Sequence, residues 1–372
     1  MAVFLMLAVL IAGCSTQTPD SSSNDKSNAS TTNSDTIKIR AAGAMPPKHG
    51  FMVGYHMPWI ERVEKETNGR VKFDVYPSQE LVPNGGEITA LEAKTMDMAL
   101  NGLRAYHPEL FPMADVSMLP AKGADTIVAT KAWIDLMESD VPLKDGKTYY
   151  QLEFEDNGFV GLPMPAQESC VICLAKKEVK NVSDFNGLIM RGTGRAHELL
   201  ISNLNGTPVT MTAPELYDAL SRGTIDGILF SIADWPGYSF QDVLKYNIIG
   251  LDMGNYAGDN MFLKETWESY PQDVRDIMMK AAKEQAIKGA EHWKSLTEPT
   301  KKESMEKGAV FVNFNELPAE TQQHLEKAMV QTWHDWIDKV NESGAPGLEC
   351  AKLWRDLIIK HGATVPDEIM NL

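Results

Sequence analysis

The sequence predicts an α/β protein of two domains, and three observations lead to this prediction. The chain has 372 residues, 43% of them hydrophobic, which exceeds the usual size of one domain and suffices for two buried cores. Segments of alternating polarity and segments of helical periodicity follow one another from residue 37 onward, as in the βαβ units of parallel sheets. A helical pattern of unusual length covers 271–296.

The start of the chain has the pattern of a secretion signal. Residues 1–13 are almost wholly apolar, too few to span a bilayer, which takes about 20 residues. They end in Leu10-Ile11-Ala12-Gly13-Cys14, which resembles a bacterial lipoprotein box, so we expect cleavage after residue 13 and lipidation of Cys14. The Lys or Arg expected near such a start is missing. The alternative is a short buried helix that ends in an incidental cysteine.

The next segment, 14–36, is rich in Ser, Thr and Asn and has almost no apolar residue to bury. Such a composition predicts a flexible, solvated tether. Signal, cysteine and tether together predict an extracytoplasmic protein, in the periplasm or at the cell surface, whose contact with the membrane is a lipid anchor.

The charge balance argues against nucleic acid and anionic lipid surfaces as partners. The chain carries 35 Lys and Arg against 51 Asp and Glu, a net charge of −16, without a basic block, so the electrostatic footprint of such partners is missing. An acidic protein of this kind needs a local positive site if its ligand is an anion.

The body of the protein begins with a strand–helix–strand unit. Period-two alternation predicts strands at 37–42 and 71–76, and apolar residues at helical spacing predict a helix over 50–67 between them. A second helix is predicted from about 86 to 94 and a third strand at 96–101. These elements predict a parallel sheet.

Loops that follow the carboxyl ends of parallel strands line the ligand crevice of an open sheet. Polar side chains in these loops are therefore candidate ligand-binding residues, although a loop residue can also be merely solvated: His49, Glu80, Asn84 and Asn101.

The rest of the chain continues the alternation and crosses to a second domain near residue 166. We expect 37–166 and about 256–296 to form the first domain, and 167–255 and about 297–372 the second domain with the C-terminal helices. The predicted elements are a helix at 126–138, strands near 149–154, 159–164 and 169–174, a strand ending at Arg191, a helix at 196–205, strands at 243–249 and 259–263, the long helix, a strand at 309–312 and a helix at 319–340.

Three cysteines remain once Cys14 is set aside, namely Cys170, Cys173 and Cys350. The Cys170-x-x-Cys173 spacing could indicate zinc or redox chemistry, but no second such pair and no His cluster supplies further ligands. The favoured interpretation is buried thiols acting as small apolar side chains, with a functional pair as the alternative. We expect no metal and no cofactor.

Four short motifs stand out along the body: Glu64-Lys65-Glu66-Thr67-Asn68-Gly69-Arg70-Val71 followed by Tyr76-Pro77 and Leu81, Asp184-Phe185-Asn186-Gly187-Leu188-Ile189-Met190-Arg191, Glu215-Leu216-Tyr217-Asp218-Ala219-Leu220, and Gly223-Thr224-Ile225-Asp226-Gly227. In this order and spacing they resemble the solute-binding subunits of tripartite ATP-independent periplasmic (TRAP) transporters, of the dicarboxylate-binding type. The resemblance runs from about residue 37 to the C-terminus.

The resemblance implies a clamshell of two α/β domains, of the periplasmic-binding-protein kind, with a long helix that spans both and a cleft that closes on a ligand. It also implies that Arg191 is the arginine that pairs with a ligand carboxylate. A guanidinium suits this role because its planar donors match a carboxylate and stay charged when desolvated. The alternative for Arg191 is a surface arginine or one paired with a structural Asp.

Two departures from the family pattern bear on specificity. Where members that bind sialic acid or small dicarboxylates often have a second arginine, this chain has Val171, and Ile228-Leu229-Phe230 replaces a common Gln-Glu-Asn. An apolar wall of Phe230 and Trp235 would favour a carboxylate on a less polar body, such as an aromatic or branched keto acid. The alternative is that both aromatic residues belong to the core.

The predicted function is therefore capture of an organic acid and, as the resemblance implies, delivery to the membrane subunits of a TRAP permease. Two alternatives remain open. The same fold could serve as the ligand-binding subunit of a sensory system, or the chain could be a secreted hydrolase, although it lacks G-x-S-x-G, H-E-x-x-H and P-loop motifs. The prediction is a binding protein and not an enzyme.

Overall fold

Residues 36–372 are described by the computed structural model of the protein. The predicted signal peptide, Cys14 and all of the tether before Thr36 lie outside the described residues, so these assignments stay predictions. Within the described range no helix is both long enough and apolar enough to cross a membrane.

The strands of the described chain fall into two sheets. In chain order they are β1 (Ile37–Ala42), β2 (Val71–Tyr76), β3 (Met98–Ala99), β4 (Phe159–Ala166), β5 (Cys170–Leu174), β6 (Ile189–Arg191), β7 (Thr207–Val209), β8 (Gly227–Ser231), β9 (Tyr246–Ile249), β10 (Ala257–Leu263) and β11 (Val310–Asn313).

The first sheet has the order β2-β1-β3-β10-β4, and the second has the order β11-β9-β5-β8-β6-β7. Strand β1 pairs in parallel with β2 and β3, as the βαβ pattern predicts, with Ile37 opposite Val71. Both sheets are nevertheless mixed, since β10 runs antiparallel to β3 and β4, and β5 runs antiparallel to β8 and β9. The antiparallel strands flank the segments in which the chain passes from one sheet to the other.

The α-helices cover both sheets. They are α1 (Met57–Glu66), α2 (Glu87–Glu92), α3 (Thr126–Glu138), α4 (Arg195–Asn203), α5 (Leu216–Arg222), α6 (Trp235–Tyr238), α7 (Lys264–Ser269), α8 (Gln272–Glu306), α9 (Ala319–Glu342), α10 (Gly347–Lys360) and α11 (Asp367–Met370).

Helix α8 is the long helix that the sequence predicts, and it runs further than the pattern indicates. Its 35 residues correspond to about 52 Å of length. It continues through Pro299, which removes one backbone hydrogen bond, because Thr300 and Ser304 are buried on its last turns. It packs on α1, α3 and β4 at one end and on the turns 232–234 and 240–242 at the other, so it contacts elements of both sheets.

One predicted strand is wrong. Residues 149–154 form a helical turn, Gln151–Glu155, instead of a strand. The turn buries Phe154, which stacks on Tyr150 at 4.8 Å, and directs the Glu153 carboxylate inward, where it accepts a hydrogen bond from the Met113 N–H at 2.8 Å. Apart from this strand, the predicted α/β fold class is confirmed. The structure has two sheets covered by helices, and one long helix packs on elements of both.

The core is divided among the faces of the two sheets. One cluster covers the first sheet and includes Trp333, Trp336 and Trp354 from α9 and α10, and two further clusters cover the opposite faces of the second sheet. Cys170 and Cys173 lie on opposite faces of β5, in different clusters. Both are buried and free, as is Cys350, and burial raises the pKa of Cys170 to about 12. These thiols therefore act as apolar side chains, as the alternation of the strand predicts.

The strands before residue 166 together with β10 form the first sheet, and those between 170 and 249 together with β11 form the second. The domain boundaries themselves stay a prediction. The C-terminal helices contact both parts, because α9 packs on α4 and α10 packs on α3.

Candidate functional site

A cavity lies between the two sheets, where the parallel strands end. It is a partly open cavity, and the space between its walls together with the open solvent at its mouth measures about 600 Å³. The loops after β1 and β3 and the start of α2 form one wall, and the ends of β6 and β8 form the other. Its lining combines aromatic and apolar side chains with a few polar ones, including Met45, His49, Phe51, Asn84, Glu87, Asn101, Tyr106, Gln167, Arg191, Thr193, Phe230, Asp234, Tyr238 and Tyr256.

Arg191 is the last residue of β6 and lies 1% exposed in the cavity wall. Its guanidinium donates three hydrogen bonds, from Nε to the Met211 carbonyl at 3.0 Å, from Nη1 to Thr193 Oγ1 at 2.7 Å, and from Nη2 to the Tyr106 hydroxyl at 3.0 Å. Tyr106 belongs to the loop after β3, so the side chain is held from both walls.

All of these partners are neutral. Among residues 36–372 no carboxylate forms an ion pair with Arg191, and each terminal nitrogen keeps a second N–H beyond the bonds above. A buried charge is costly unless an opposite charge compensates it. Arg191 can therefore donate to an anion with two acceptor atoms, such as a carboxylate.

Aromatic rings form the wall beside the guanidinium. The centre of the Phe230 ring of β8 lies 5.9 Å from Arg191 Cζ. The Tyr238 ring packs edge to face on the Phe230 ring, with 6.0 Å between the ring centres. Phe240 packs behind Phe230 at 5.3 Å, which fixes the orientation of the wall. Such a surface suits a flat or compact apolar body attached to the bound anion.

A contact between His49 and Asp234 joins the two walls. His49 Nδ1 accepts from the Phe51 N–H at 3.2 Å, which places the ring proton on Nε2, and Nε2 faces Asp234 Oδ1 at 2.8 Å. The pair is not a well-directed hydrogen bond, but both side chains are almost fully buried. Gln167, in the segment between the sheets, donates to Asp234 Oδ2 at 2.7 Å.

The loop after β3 has an unusual backbone. Asn101 and Leu103 both have positive φ angles, 78° and 47°, and both line the cavity. Asn tolerates the left-handed region, whereas Leu adopts it only where the surrounding structure compensates. Asn101 Oδ1 accepts from the Tyr256 hydroxyl at 2.7 Å, which anchors the loop to the residue that precedes β10.

The structure brings together five of the predicted site residues: His49, Asn84, Asn101, Arg191 and Phe230. Trp235 does not line this cavity, because it is fully buried at the start of α6 and stacks on Phe311 at 6.0 Å. Glu80 lies exposed in the turn after β2 and does not line it either. Trp235 thus follows the core alternative that the sequence left open.

Other cavity residues have weak signals in the sequence. Thr193 follows Arg191 by two residues and could have been found from the strand end, and Asp234 and Tyr238 follow β8 in the same way. Tyr106 and Glu87 lie further from their strands and depend on the path of the loops. Within the described part of the chain there is also no group of three or more His, Cys, Asp or Glu side chains suited to a metal ion.

Two helix-covered β-sheets, with a buried cation between them that no carboxylate of the described chain compensates, are typical of a binding protein of the clamshell class. A family model described as bacterial extracellular solute-binding protein, family 7 (DctP), matches residues 43–340. The chain belongs to this family, which confirms the resemblance to TRAP solute-binding subunits. It is a family of extracellular transport proteins and not a class of enzymes.

Relatives at low identity support this assignment. A solute-binding protein of Albidiferax ferrireducens is 23% identical over 296 residues, which are 78% of this chain and 81% of that protein. The C4-dicarboxylate-binding periplasmic protein DctP of Rhodobacter capsulatus is 24% identical over 296 residues, 78% of this chain and 84% of that protein.

Solved structures share the fold. A marine metagenome TRAP solute-binding protein specific for aromatic acids, in complex with metahydroxyphenylacetate, has a TM-score of 0.77 at 20% identity, covering 88% of this chain and 99% of that one. A TRAP solute-binding protein of Rhodoferax ferrireducens T118 with copurified benzoate has a TM-score of 0.75 at 20% identity, covering 88% and 98%. At this identity the likeness establishes the fold alone.

Proposed function

We propose that this protein captures a monocarboxylate with an aromatic or compact apolar body, using Arg191 as the carboxylate anchor. The observation that carries the proposal is the charge state of the cavity: Arg191 is buried and its partners in the described chain are neutral. A ligand carboxylate would supply the negative charge that Arg191 lacks and would accept hydrogen bonds from its two free N–H groups.

The apolar wall supports a ligand of limited polarity. Phe230 and Tyr238 offer ring faces and edges beside the guanidinium, and benzoate and metahydroxyphenylacetate in the structural neighbours have the matching combination of one carboxylate and one ring. At the position of a second arginine in other members, Val171 is buried in β5 opposite Phe230. This supports one carboxylate over two.

Closure of the cleft would complete the binding step. The contacts of Tyr106 with Arg191 and of His49 with Asp234 join the two walls. A ligand that binds between the walls therefore favours the closed form of the protein. We propose that the closed protein then docks on the membrane subunits of a TRAP permease, held near them by lipidated Cys14 and the tether.

A thermal-shift screen of organic acids tests the anchor. A ligand at a hundredfold excess over Kd stabilises the folded protein by about 2.7 kcal/mol, so a true ligand should raise the unfolding temperature clearly. Arg191→Met should weaken acid binding by about 2–5 kcal/mol, because a buried charge-assisted contact is lost. The affinity of Arg191→Lys for the acid should lie between those of the wild type and Arg191→Met, since lysine keeps the charge and loses the planar set of donors.

Arg222→Ala is the matched control, because Arg222 is exposed at the end of α5 and outside the cavity. It should bind acids as the wild type does. An acid that stabilises Arg191→Met as strongly as the wild type would contradict the anchoring role.

Two further assays address the alternatives. In the first assay the protein is incubated with benzoate esters and with the bound acid. A binding protein should leave these compounds unchanged, whereas a hydrolase should not. Uptake into vesicles that carry the cognate permease should require this protein, whereas a sensory subunit would leave uptake unaffected.

A further inference from the structure

The carboxyl group of Glu87 is a second unusual feature of the same cavity. Glu87 is the first residue of α2 and is 1% exposed. Neither of its carboxyl oxygens has a hydrogen-bond partner in the described chain. Buried carboxyl groups in folded proteins are almost always hydrogen-bonded or paired with a cation, so this one calls for an explanation.

The cavity thus contains a buried cation and a buried carboxyl group that do not pair with each other. Arg191 lines the wall formed by the second sheet, and Glu87 lines the wall formed by the first. Among the buried polar groups of that first wall, the Asn101 Oδ1 accepts from the Tyr256 hydroxyl and the His49 ring faces Asp234. Glu87 is the carboxyl group of this wall that has no such contact within the described residues, and it can therefore take a hydrogen bond from a ligand.

The protonation of Glu87 fits such a role. Burial raises the pKa of its carboxyl to about 7, although the backbone amides of Glu87 itself and of Gly85 lie close enough to oppose the shift without forming good hydrogen bonds. Near neutral pH the group can therefore accept a hydrogen bond in either form, and its protonated form can also donate one. Repulsion from a second anionic group on the ligand grows as the carboxyl ionises.

We propose that Glu87 is a specificity-determining residue that hydrogen-bonds a hydroxyl group on the body of the captured carboxylate. The proposal rests on the function proposed above, with Arg191 as the anchor. It narrows the ligand class to hydroxy monocarboxylic acids, in which the carboxylate lies at one wall and the hydroxyl group at the other. Acids with a second carboxylate in place of the hydroxyl group are disfavoured.

Paired ligands test this assignment. The panel consists of benzoate with its three monohydroxy isomers, phenylacetate with its three monohydroxy isomers, propionate with lactate, and succinate with butyrate as the dicarboxylate pair. Calorimetry on the wild type should show at least one hydroxylated acid that binds about tenfold more tightly than its parent, the effect of one buried hydrogen bond.

Variants at position 87 assign the preference to the residue. In Glu87→Met and in Glu87→Leu the ratio of hydroxylated to parent affinity should fall to about one, whereas Glu87→Gln, which keeps an acceptor and a donor, should retain most of it. Two apolar variants are used so that a folding defect in one does not decide the result. Glu92→Gln is the control, an exposed residue of the same helix, and should leave the ratio unchanged.

The outcomes separate this inference from the proposed function. Acids that bind through Arg191 without any preference for a hydroxyl group, a preference that survives in both apolar variants, or tighter binding of succinate than of butyrate would overturn the role of Glu87 alone. If no acid of the panel binds the wild type, both proposals fail together.

Discussion

Two buried arginines of this protein show how the same side chain serves two purposes. Arg104 and Arg191 are 3% and 1% exposed. Arg104 donates to the carboxylates of Glu153 at 2.7 Å and Asp259 at 2.8 Å, whereas Arg191 has only neutral partners in the described chain. The first charge is neutralised by the protein, whereas we propose that the second is neutralised by a ligand.

The electrostatics of the Arg104 region follow from this pairing. Burial opposes the charge of Arg104, but the nearby Asp259 and Glu153 carboxylates raise the pKa of the guanidinium above its ordinary value. Burial also raises the pKa of Asp259 in spite of Arg104. Arg104, Asp259 and Glu153 form an ionised network because both hydrogen bonds are short. The Phe154 ring covers this network and lies 4.1 Å from Arg104 Cζ. Such a network positions β10 against the turn 151–155.

The largest difference between the regions should appear in stability. Arg104→Met leaves two buried carboxylates without their cation and should lower the free energy of unfolding by about 3–5 kcal/mol. Arg191→Met leaves no carboxylate unpaired and should lower it much less in the absence of ligand. Urea unfolding of both variants, without added acid, measures the contrast. Equal losses in the two variants would mean that Arg191 is structural as well.

A second contrast concerns the carboxyl group of Glu87, which, unlike Glu153 and Asp259, has no cation beside it in the described chain. It should make the stability of the protein depend on pH. The pKa of Glu87 is raised in the folded protein to about 7, so its contribution to stability is fully present below the ordinary pKa of a glutamate and is lost as pH rises through about 7. Glu87→Gln should therefore gain stability relative to the wild type between pH 5 and pH 8, by about 2–3 kcal/mol.

Urea unfolding at both pH values measures this gain. Glu80→Gln is the control, because Glu80 is exposed outside the cavity, and it should change stability by less than about 0.5 kcal/mol at either pH. A Glu87→Gln advantage that is the same at pH 5 and pH 8 would indicate that the carboxyl group does not titrate in this interval.

The smallest expected effect concerns the ring beside Arg191. Phe230→Leu removes an aromatic surface and keeps an apolar one, so the affinity for benzoate relative to propionate should fall by about 1 kcal/mol. Phe311→Leu is the matched control, since Phe311 stacks on Trp235 outside the cavity. Competition calorimetry with the two acids gives the ratio directly. An unchanged ratio in Phe230→Leu would remove the aromatic wall from the specificity argument.

Much of the fold was predictable because it depends on local patterns. Alternation identified β1, β2 and β5, and helical spacing identified α1, α3 and α8, although α8 continues beyond the predicted end at 296 to Glu306. The error at 149–154 arose because a short segment with buried aromatic residues at both ends fits a strand or a helical turn equally well. Its conformation is decided by Arg104 and Met113, which hold the Glu153 carboxylate.

The site was predictable only in part. Arg191 and Phe230 lie at strand ends, where the topology of the sheet presents side chains to the cleft. Trp235 follows β8 as closely, but its side chain turns to Phe311 in the core. Alternation cannot give the direction of a side chain beyond the end of a strand, since the turn that follows sets it.

The amino-acid sequence by itself determined the succession of strands and helices, the burial of Cys170 and Cys173 in their strand and the position of Arg191 at the end of an apolar strand. Each of these depends on residues close together in the chain. Only the tertiary structure decided that no carboxylate among residues 36–372 compensates Arg191, that His49 meets Asp234, and that the Glu87 carboxyl, unpaired in the same range, lines the same cavity. These features join residues far apart in the sequence, and packing alone determines which opposite charges meet.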